Sequence, residues 1–500
     1  MAHYRVLRNI ASNYALVATN GLVMFVLTPI LFRYLQPVNF AVLAFAIAVS
    51  TLLTMLDLGV ASAMIRFVSD LAARGEYGEL RRLFSTVFVV FLVVGGVASL
   101  VLAGLSDPLA GFFHVKSEVA GVGSVVVAMV GLSLAFQLPG TSARGFLEGL
   151  ENFHLANGVD IVTQLARAAA TLLFVYGGLG LLPIAMLFPA AAFIRLCGML
   201  FVIRWTKVPV WPSLRQIDLG TLQRIRGFAS LTFVEDTATR LFSQSDAFLV
   251  ARLLPLPDLA ILVVARRLPW ALANLGHQTL VVGYPMVTSA VAAGRRHVAG
   301  KFMLLSSRNV LALMLPLAAA MFVWAEVILR LWIGAGSLSG VGVFRAFLVF
   351  AVMVGLQESP LNLLYGLGRI RFSSGLSVVT LAVAVGLGTL ACSAGGLTAL
   401  AVVYALIQSI VTILLCYQAL KLAALDPAVW LKKAVVPVVL GVVPAVIWLL
   451  ASYWLLPHTL AGLAISTVLG ILLFLALFVK MVSGPERQPW QARLRKLLAE

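Results

Sequence analysis

Asp160, Gln164 and Arg167 stand four and three residues apart in an otherwise apolar run, "NGVDIVTQLARAAATLLFVYG". On a helix that spacing puts all three on one face. An arginine held there presents a planar fork of donors that binds phosphate or carboxylate oxygens and keeps its charge when buried. Two readings follow for Arg167: it binds an anionic ligand, or it pairs with an acid on a neighbouring helix. A second set lies in "FVEDTATRLFSQSDAFLV", residues 233–250, with Glu235, Asp236, Arg240 and Asp246. At about 100° per residue, these four fall with Thr232, Thr239, Ser243 and Gln244 on about half of the helix circumference. Leu231, Val234, Ala238, Leu241, Phe248 and Leu249 occupy the other half. Asp236 and Arg240 can pair at i,i+4, which leaves Glu235 and Asp246. A charge at mid-membrane costs at least about 2.5–3.5 kcal/mol, so four on one face argue for water, a ligand or partner charges.

The elements that must position these residues follow from composition. The chain has 500 residues, 61% hydrophobic and 11% charged, with a mean hydropathy of +1.04. A soluble protein carries roughly 25% charged residues, so this surface must face lipid. Apolar runs long enough to span a bilayer, roughly 20 residues, recur throughout. They predict an all-α polytopic membrane protein with about fourteen spans: 13–36, 38–60, 83–106, 119–141, 156–178, 179–203, 227–252, 256–290, 309–332, 340–366, 375–393, 396–420, 435–455 and 459–481. The runs are continuous, not alternating, which excludes a β-barrel. "MAHYRVLRNIAS" is basic and the run after it lacks a cleavage site, so that run is expected to remain as the first helix.

The net charge of +17 is not a nucleic-acid signal. With the N-terminus inside, the cytoplasmic segments hold 26 of the 36 Lys and Arg. That asymmetry predicts both termini in the cytoplasm and basic loops against anionic lipid. Cys197, Cys392 and Cys416 have neither metal-ligand nor disulfide spacing.

The chain also repeats. "FRYLQPVNFAVLAFA" (32–46) resembles "ARLLPLPDLAILVVA" (251–265), and 69–85 lies over 288–304 at the same shift of 219 residues. "GLENFHLANG" (149–158) resembles "GLGRIRFSSG" (366–375) at a shift of 217. Six spans therefore pair with six, in parallel orientation, an arrangement expected to leave a cavity between the halves. The domain plan is an N-lobe 1–203, a cytoplasmic linker 204–226, a C-lobe 227–420, two further helices in 421–481 and a basic tail 482–500.

"YLQPVNFAVLAFA", then "LDLGVASAMIRFVSDLAARGEYGELRRLF", then "GFLEGLENFHLAN" resemble the multidrug/oligosaccharidyl-lipid/polysaccharide exporter superfamily, in its polysaccharide-biosynthesis branch that includes O-antigen flippases. Asp57-Leu58-Gly59 followed by Arg66 weighs most. Gln36-Pro37 departs from the glycine usual there. The resemblance implies two six-helix lobes around a central cavity, with the first and seventh helices lining it and bending. It implies undecaprenyl-pyrophosphate-linked sugar units as substrate, moved from the cytoplasmic to the periplasmic leaflet of a bacterial inner membrane.

For such a substrate the candidate anion-binding residues are Arg66, Arg167, Arg240 and Arg266. Gln164, Thr239 and Asn20 are candidate polar contacts, although Asn20 also suits helix–helix hydrogen bonding and Arg66 suits snorkelling. Asp57, Asp160, Glu235, Asp236, Asp246 and Glu358 are candidates for a coupled proton or Na⁺, or for pairing with the arginines. Glu358 precedes Pro360 and so sits at an expected kink. Arg195 cannot be placed by face. Three alternatives compete: a cation-coupled drug or metabolite exporter using the acids of 233–250, a flippase for a lipid-linked peptidoglycan precursor, and a membrane enzyme. The last is disfavoured, because the longest hydrophilic loop is about 23 residues and no Gly-rich phosphate loop is present. No cofactor is expected. A polysaccharide polymerase or glycosyltransferases are candidate partners.

Overall fold

The computed structural model describes residues 2–57, 59–113, 117–206, 208, 210–280, 296–367 and 369–482. The expected tail beyond residue 482, the far end of 256–290 and the first part of the repeat segment 288–304, residues 288–295, fall outside them. The described residues are helical, and they form two compact units, Met1–Ala260 and Ile261–Glu500.

Unit 1 contains α1 (Ala2–Leu53), α2 (Val60–Ala73), α3 (Tyr77–Gly104), α4 (Ser106–Phe112), α5 (Ser117–Leu132), α6 (Leu134–Gly149), α7 (Phe153–Tyr176), α8 (Leu181–Trp205) and α9 (Leu219–Leu253). Its core packs Met64 and Val68 of α2 with Leu80, Phe84 and Val87 of α3 and Leu138, Phe146 and Leu147 of α6. The Phe84 and Phe146 rings stack at 4.4 Å. Segment 204–226 lies against α3, where Ser213 N donates to Ser85 Oγ at 3.0 Å and Asp218 N to Thr86 Oγ1 at 2.9 Å. Asp218 then caps α9 by accepting from Gly220 N, the role its short side chain favours. This division places α9 with unit 1, against α1, α2 and α3.

Unit 2 contains α10 (Leu256–Leu280), α11 (Arg296–Val323), α12 (Ala325–Trp332), α13 (Val341–Gly366), α14 (Ile370–Leu422), α15 (Val436–Leu455) and α16 (Leu460–Val482). The two last helices are pinned to α11 through Trp324, which is fully buried and donates from Nε1 to Ser466 Oγ at 3.0 Å. Ser452 Oγ bonds the same hydroxyl, and Trp448 Nε1 donates to Ser466 O at 3.0 Å.

Eleven stretches among the described residues are long and apolar enough to cross a membrane, against fourteen expected. Two of the eleven, Ala11–Asp57 and Arg371–Leu422, run for 47 and 52 residues. At 1.5 Å per residue each is about 70 Å or more, twice the roughly 30 Å hydrocarbon core. Each contains one non-helical residue where the chain can reverse, Gln36 (φ 61°) and Gly396 (φ 67°). Helix α9, which carries the charges of 233–250, is not among the eleven.

The turns reproduce the sequence repeat. Leu150 and Leu367, both at φ −86°, end α6 and α13. Asn152 (φ −93°, ψ 42°) and Arg369 (φ −94°, ψ 40°) precede α7 and α14. Their amides close the same bond, Asn152 N to Leu147 O and Arg369 N to Leu364 O, each 2.9 Å. Gly178 (φ 71°) matches Gly396 (φ 67°), and the short helices α4 and α12 begin 219 residues apart.

One difference matters for the site. Residue 133 interrupts unit 1's α5–α6 run, whereas its counterpart α13 is continuous. Ser99 of α3 satisfies the break on both sides. Its Oγ donates to Gly131 O and accepts from Ala135 N, each 3.0 Å. Gly95 permits the approach, since a Cβ there would lie 2.5 Å from Leu134 O. Interrupted helices inside a membrane are tolerated where other groups take up the freed backbone atoms.

Candidate functional site

The interrupted α5–α6 run, together with α1, α7 and α8, encloses a cavity of about 390 Å³ in unit 1. That is within the roughly 300–1,000 Å³ of ligand pockets. Helix α7 contributes Asp160, Thr163, Gln164 and Arg167, so the face read from the spacing is a cavity wall. Opposite it stand Phe188, Ala192 and Arg195 of α8, Ser133, Gln137 and Thr141 at the break, and Asn20, Ser50 and Thr51 of α1. Asn20 is exposed on its helix and open to this cavity.

The charges are organised around Asp160. Its Oδ1 accepts from Arg195 Nε at 2.6 Å, and its Oδ2 accepts from Arg144 Nη1. Arg144 is held further by Glu148 (Nε to Oε1, 2.7 Å) and by Asn157 (Nη2 to Oδ1, 2.9 Å). Asn157, fully buried, donates to Ser12 Oγ at 3.0 Å and to Asn13 Oδ1 at 2.5 Å, tying α7 to the start of α1. Asn9 continues the seam, donating from Nδ2 to Glu151 O at 2.9 Å.

Arg167 behaves differently. Its Nη2 donates to Gln164 Oε1 at 3.1 Å, and its guanidinium lies 4.8 Å from the centre of the Phe188 ring. Among the described residues it has no carboxylate partner. The stacking is a cation–π contact, which orients the fork without neutralising it. The cavity wall thus carries two arginines and one carboxylate, one positive charge in excess, and also offers amide and hydroxyl groups.

The remaining predicted residues lie elsewhere. Arg240 Nη1 donates to Thr54 Oγ1 at 3.0 Å, and its Nη2 stands 3.9 Å from Asp57 Oδ2. The Asp236 side chain expected to pair with it lies outside the described residues. Glu235 and Asp246 are buried, at 7% and 3% exposure, whereas Val234 on the other half is 48% exposed. In this part of α9 the two acids turn inward. Thr239 is exposed, and Arg66 is exposed at the surface of α2. In unit 2, Glu358 stands 3.1 Å from His277 Nδ1, just before Pro360 within α13. Arg266 and Arg267 are half-buried on α10.

Sequence reasoning missed Arg144, Glu148 and Asn157, and it left Arg195 unplaced. The spans 119–141 and 156–178 leave Arg144 and Glu148 in the cytoplasmic segment between them, but α6 runs to Gly149. Their i,i+4 spacing was the available signal. For Arg195 no local signal exists: its partner is 35 residues away, and Gly140 gives it room, since a Cβ there would lie 3.2 Å from Nη1.

The repeat supplies an internal control. At the shift of 217, Asp160, Gln164 and Arg167 correspond to Ser377, Leu381 and Ala384, and Arg144 and Glu148 to Leu361 and Tyr365. The polar cluster there is neutral: Gln408 Nε2 donates to Gln357 Oε1 at 2.5 Å and Thr412 Oγ1 to Met353 O at 3.1 Å. Unit 2 has an apolar cavity of about 510 Å³ on a different set of helices, α11, α13 and α15, lined by Leu315, Phe322, Val352, Val442 and their neighbours. Its chemistry suits hydrocarbon and not phosphate.

Solved structures with a similar fold include a lipid flippase and multidrug transporters. The lipid II flippase MurJ, in an inward-closed conformation, superposes with a TM-score of 0.74 at 12% identity, covering 94% of this chain and 98% of its own. A multidrug resistance MATE family transporter of the MOP superfamily superposes with a TM-score of 0.61 in both its inward-facing and outward-facing conformations. Identity is 15% and 14%, over 84% of this chain and 95% and 96% of those chains, respectively. These likenesses establish the fold. No curated protein matches the sequence closely enough to count as a relative. The family model described as polysaccharide biosynthesis protein matches residues 6–291, which include the interrupted α5–α6 run and every charged residue of the unit 1 cavity. A multi-pass helical membrane protein whose sequence matches this model over more than half its length belongs to the polysaccharide biosynthesis protein family.

Proposed function

We propose that the chain is a flippase. It moves an oligosaccharide linked to undecaprenyl pyrophosphate from the cytoplasmic to the periplasmic leaflet of a bacterial inner membrane, by alternating access, for surface polysaccharide assembly. The observation that carries this reading is Arg167, a guanidinium deep in a spanning helix with no carboxylate partner among the described residues, sharing a cavity with Arg195. An intramembrane charge left uncompensated by the protein is expected to meet its compensation in a ligand. A pyrophosphate supplies several oxygens at the geometry two guanidinium forks accept. Gln137, Thr163 and Gln164 offer partners for sugar hydroxyls.

The sign of the cavity distinguishes this reading from export of a cationic drug, which would use the buried acids of α9. A lipid-linked peptidoglycan precursor shares the pyrophosphate and differs only in its sugars. Coupling to a proton or Na⁺ through Glu235, Asp236 or Asp246, cytoplasmic termini, and association with a polymerase or glycosyltransferases complete the proposal.

The test is translocation in sealed proteoliposomes. Wild-type protein should speed transfer of a lipid-pyrophosphate-linked oligosaccharide between leaflets, and Arg167→Ala should slow it. Imposed pH and Na⁺ gradients then identify the coupling ion. Export of a cationic dye, with no lipid transfer and with loss of export in Asp246→Asn, would move the function to α9 and contradict the proposal.

A further inference from the structure

We infer that Asp160 is the exchangeable counter-ion of Arg195, a built-in anion that holds the phosphate site of the empty carrier and yields Arg195 to the substrate's diphosphate. This rests on the flippase reading and adds a step to it.

Asp160 bridges two arginines that differ in what else holds them. Arg144 has Glu148 and Asn157 besides Asp160, and it is not part of the cavity wall. Arg195 lines the cavity, and among the described residues its only hydrogen bond is Nε to Asp160 Oδ1, 2.6 Å. The donors on its two terminal nitrogens face no protein acceptor there. If Asp160 releases Arg195, the carboxylate keeps its bond to Arg144, which is then shared between Asp160 and Glu148. Asp160 is therefore not left without a partner, and an unpartnered buried charge is what makes breaking such a pair most costly.

The place Asp160 occupies is suited to the incoming group. Arg167 sits two turns further along the same helix, about 10.5 Å of rise from Asp160. A diphosphate with tail and sugars attached could meet Arg167 with one phosphate and replace Asp160 on Arg195 with the other. A resident carboxylate also supplies what transport requires. Without it, two open guanidinium groups would hold a diphosphate too tightly to release it; with it, the pair re-forms as the substrate leaves. Affinity unspent on tight ground-state binding is available to turnover.

Binding to the purified full-length chain in detergent, followed by calorimetry, tests this with farnesyl diphosphate, inorganic pyrophosphate and farnesol as probes. Asp160→Asn keeps the side-chain shape and removes the competing charge. It should tighten farnesyl diphosphate by about tenfold or more, the scale of one close charge pair, leave farnesol unchanged and slow turnover in proteoliposomes. Farnesyl diphosphate should bind more tightly than inorganic pyrophosphate; equal affinities would assign the site to a free phosphate and overturn the lipid-linked form. Glu148→Gln makes the same change in net charge away from the cavity wall and should give a smaller gain. An equal gain from Glu148→Gln, or equal or weaker binding by Asp160→Asn, would overturn the exchange. A structural defect would weaken binding, so a gain cannot arise from damage. If Asp160→Asn is not recovered folded, the double change Asp160→Asn with Arg144→Gln carries the same expectation, again against wild type. Wild-type binding that Arg167→Ala weakens and Asp160→Asn does not tighten leaves the flippase reading standing and removes this inference alone. No binding of any diphosphate by wild type removes both.

Discussion

Unit 1 wraps about 390 Å³ in arginine, carboxylate, amide and hydroxyl groups, whereas unit 2 wraps about 510 Å³ in Leu, Val, Ile, Met, Phe and Ala. The units nevertheless share their turns, down to the same 2.9 Å bond before α7 and α14. At equivalent positions Arg167 faces Ala384, Arg144 faces Leu361 and Ser99 faces Ala318. The repeated framework therefore folds without those charges. Charges the fold does not need, placed where each is expensive, are best explained by what they bind.

The strongest way to break this comparison is to remove the unit 1 charge. Arg167→Ala should cut lipid-pyrophosphate transfer by about 10- to 100-fold, the loss of a charge-assisted contact of roughly 1.5–3 kcal/mol, while the thermal midpoint of the purified protein stays close to wild type. A large drop in midpoint would mean the arginine serves packing. The reciprocal change puts the charge into unit 2. Ala384 is fully buried, so Ala384→Arg should destabilise by about 3–5 kcal/mol, the effect of an unpaired buried charge, read as loss of folded protein in detergent. Tolerance of that arginine would show that unit 2 could have carried the same site at no cost, and the comparison would lose its force.

The next pair is smaller. Ser99→Ala leaves Ala135 N and Gly131 O without the partner that bridges the α5–α6 break. It should destabilise by about 1–3 kcal/mol, whereas the reciprocal Ala318→Ser in unit 2 should change the midpoint little. The smallest expected effect concerns the reversal in α1. Gln36 holds φ 61° and ψ 160°, a region close to glycine-only that strains other residues by about 1–3 kcal/mol. Gln36→Gly should therefore stabilise by up to about 1 kcal/mol, and a measured loss would mean that the Gln36 Nε2 bond to Arg33 O outweighs the strain.

Periodicity carried a good part of this into view. The apolar runs announced the helices, and the repeat offset located turns that the backbone then matched. The shared face of Asp160, Gln164 and Arg167 was legible because i,i+3 and i,i+4 neighbours need only one helix. Gln36, where the resemblance leads one to expect glycine, was legible as an oddity, and its φ of 61° accounts for it. Arg195 was not legible, because its partner belongs to another helix and the choice of face is made by packing. Arg144 was obscured by a misjudged boundary, since positive charge near a span end reads as a loop. The count of eleven is lower than fourteen because Ala11–Asp57 and Arg371–Leu422 each join two expected spans across a one-residue reversal, and the charged α9 is not among the eleven.

The most direct test of the central claim, that the unit 1 cavity receives the diphosphate, is photo-crosslinking. A prenyl diphosphate analogue with a photoreactive group next to the phosphates would be irradiated with the full-length protein and the labelled peptides sequenced. Labelling should fall on α7 and α8, around residues 160–167 and 188–195, and Arg167→Ala should diminish it. Labelling confined to α9 or to unit 2, or unchanged by Arg167→Ala, would contradict the account.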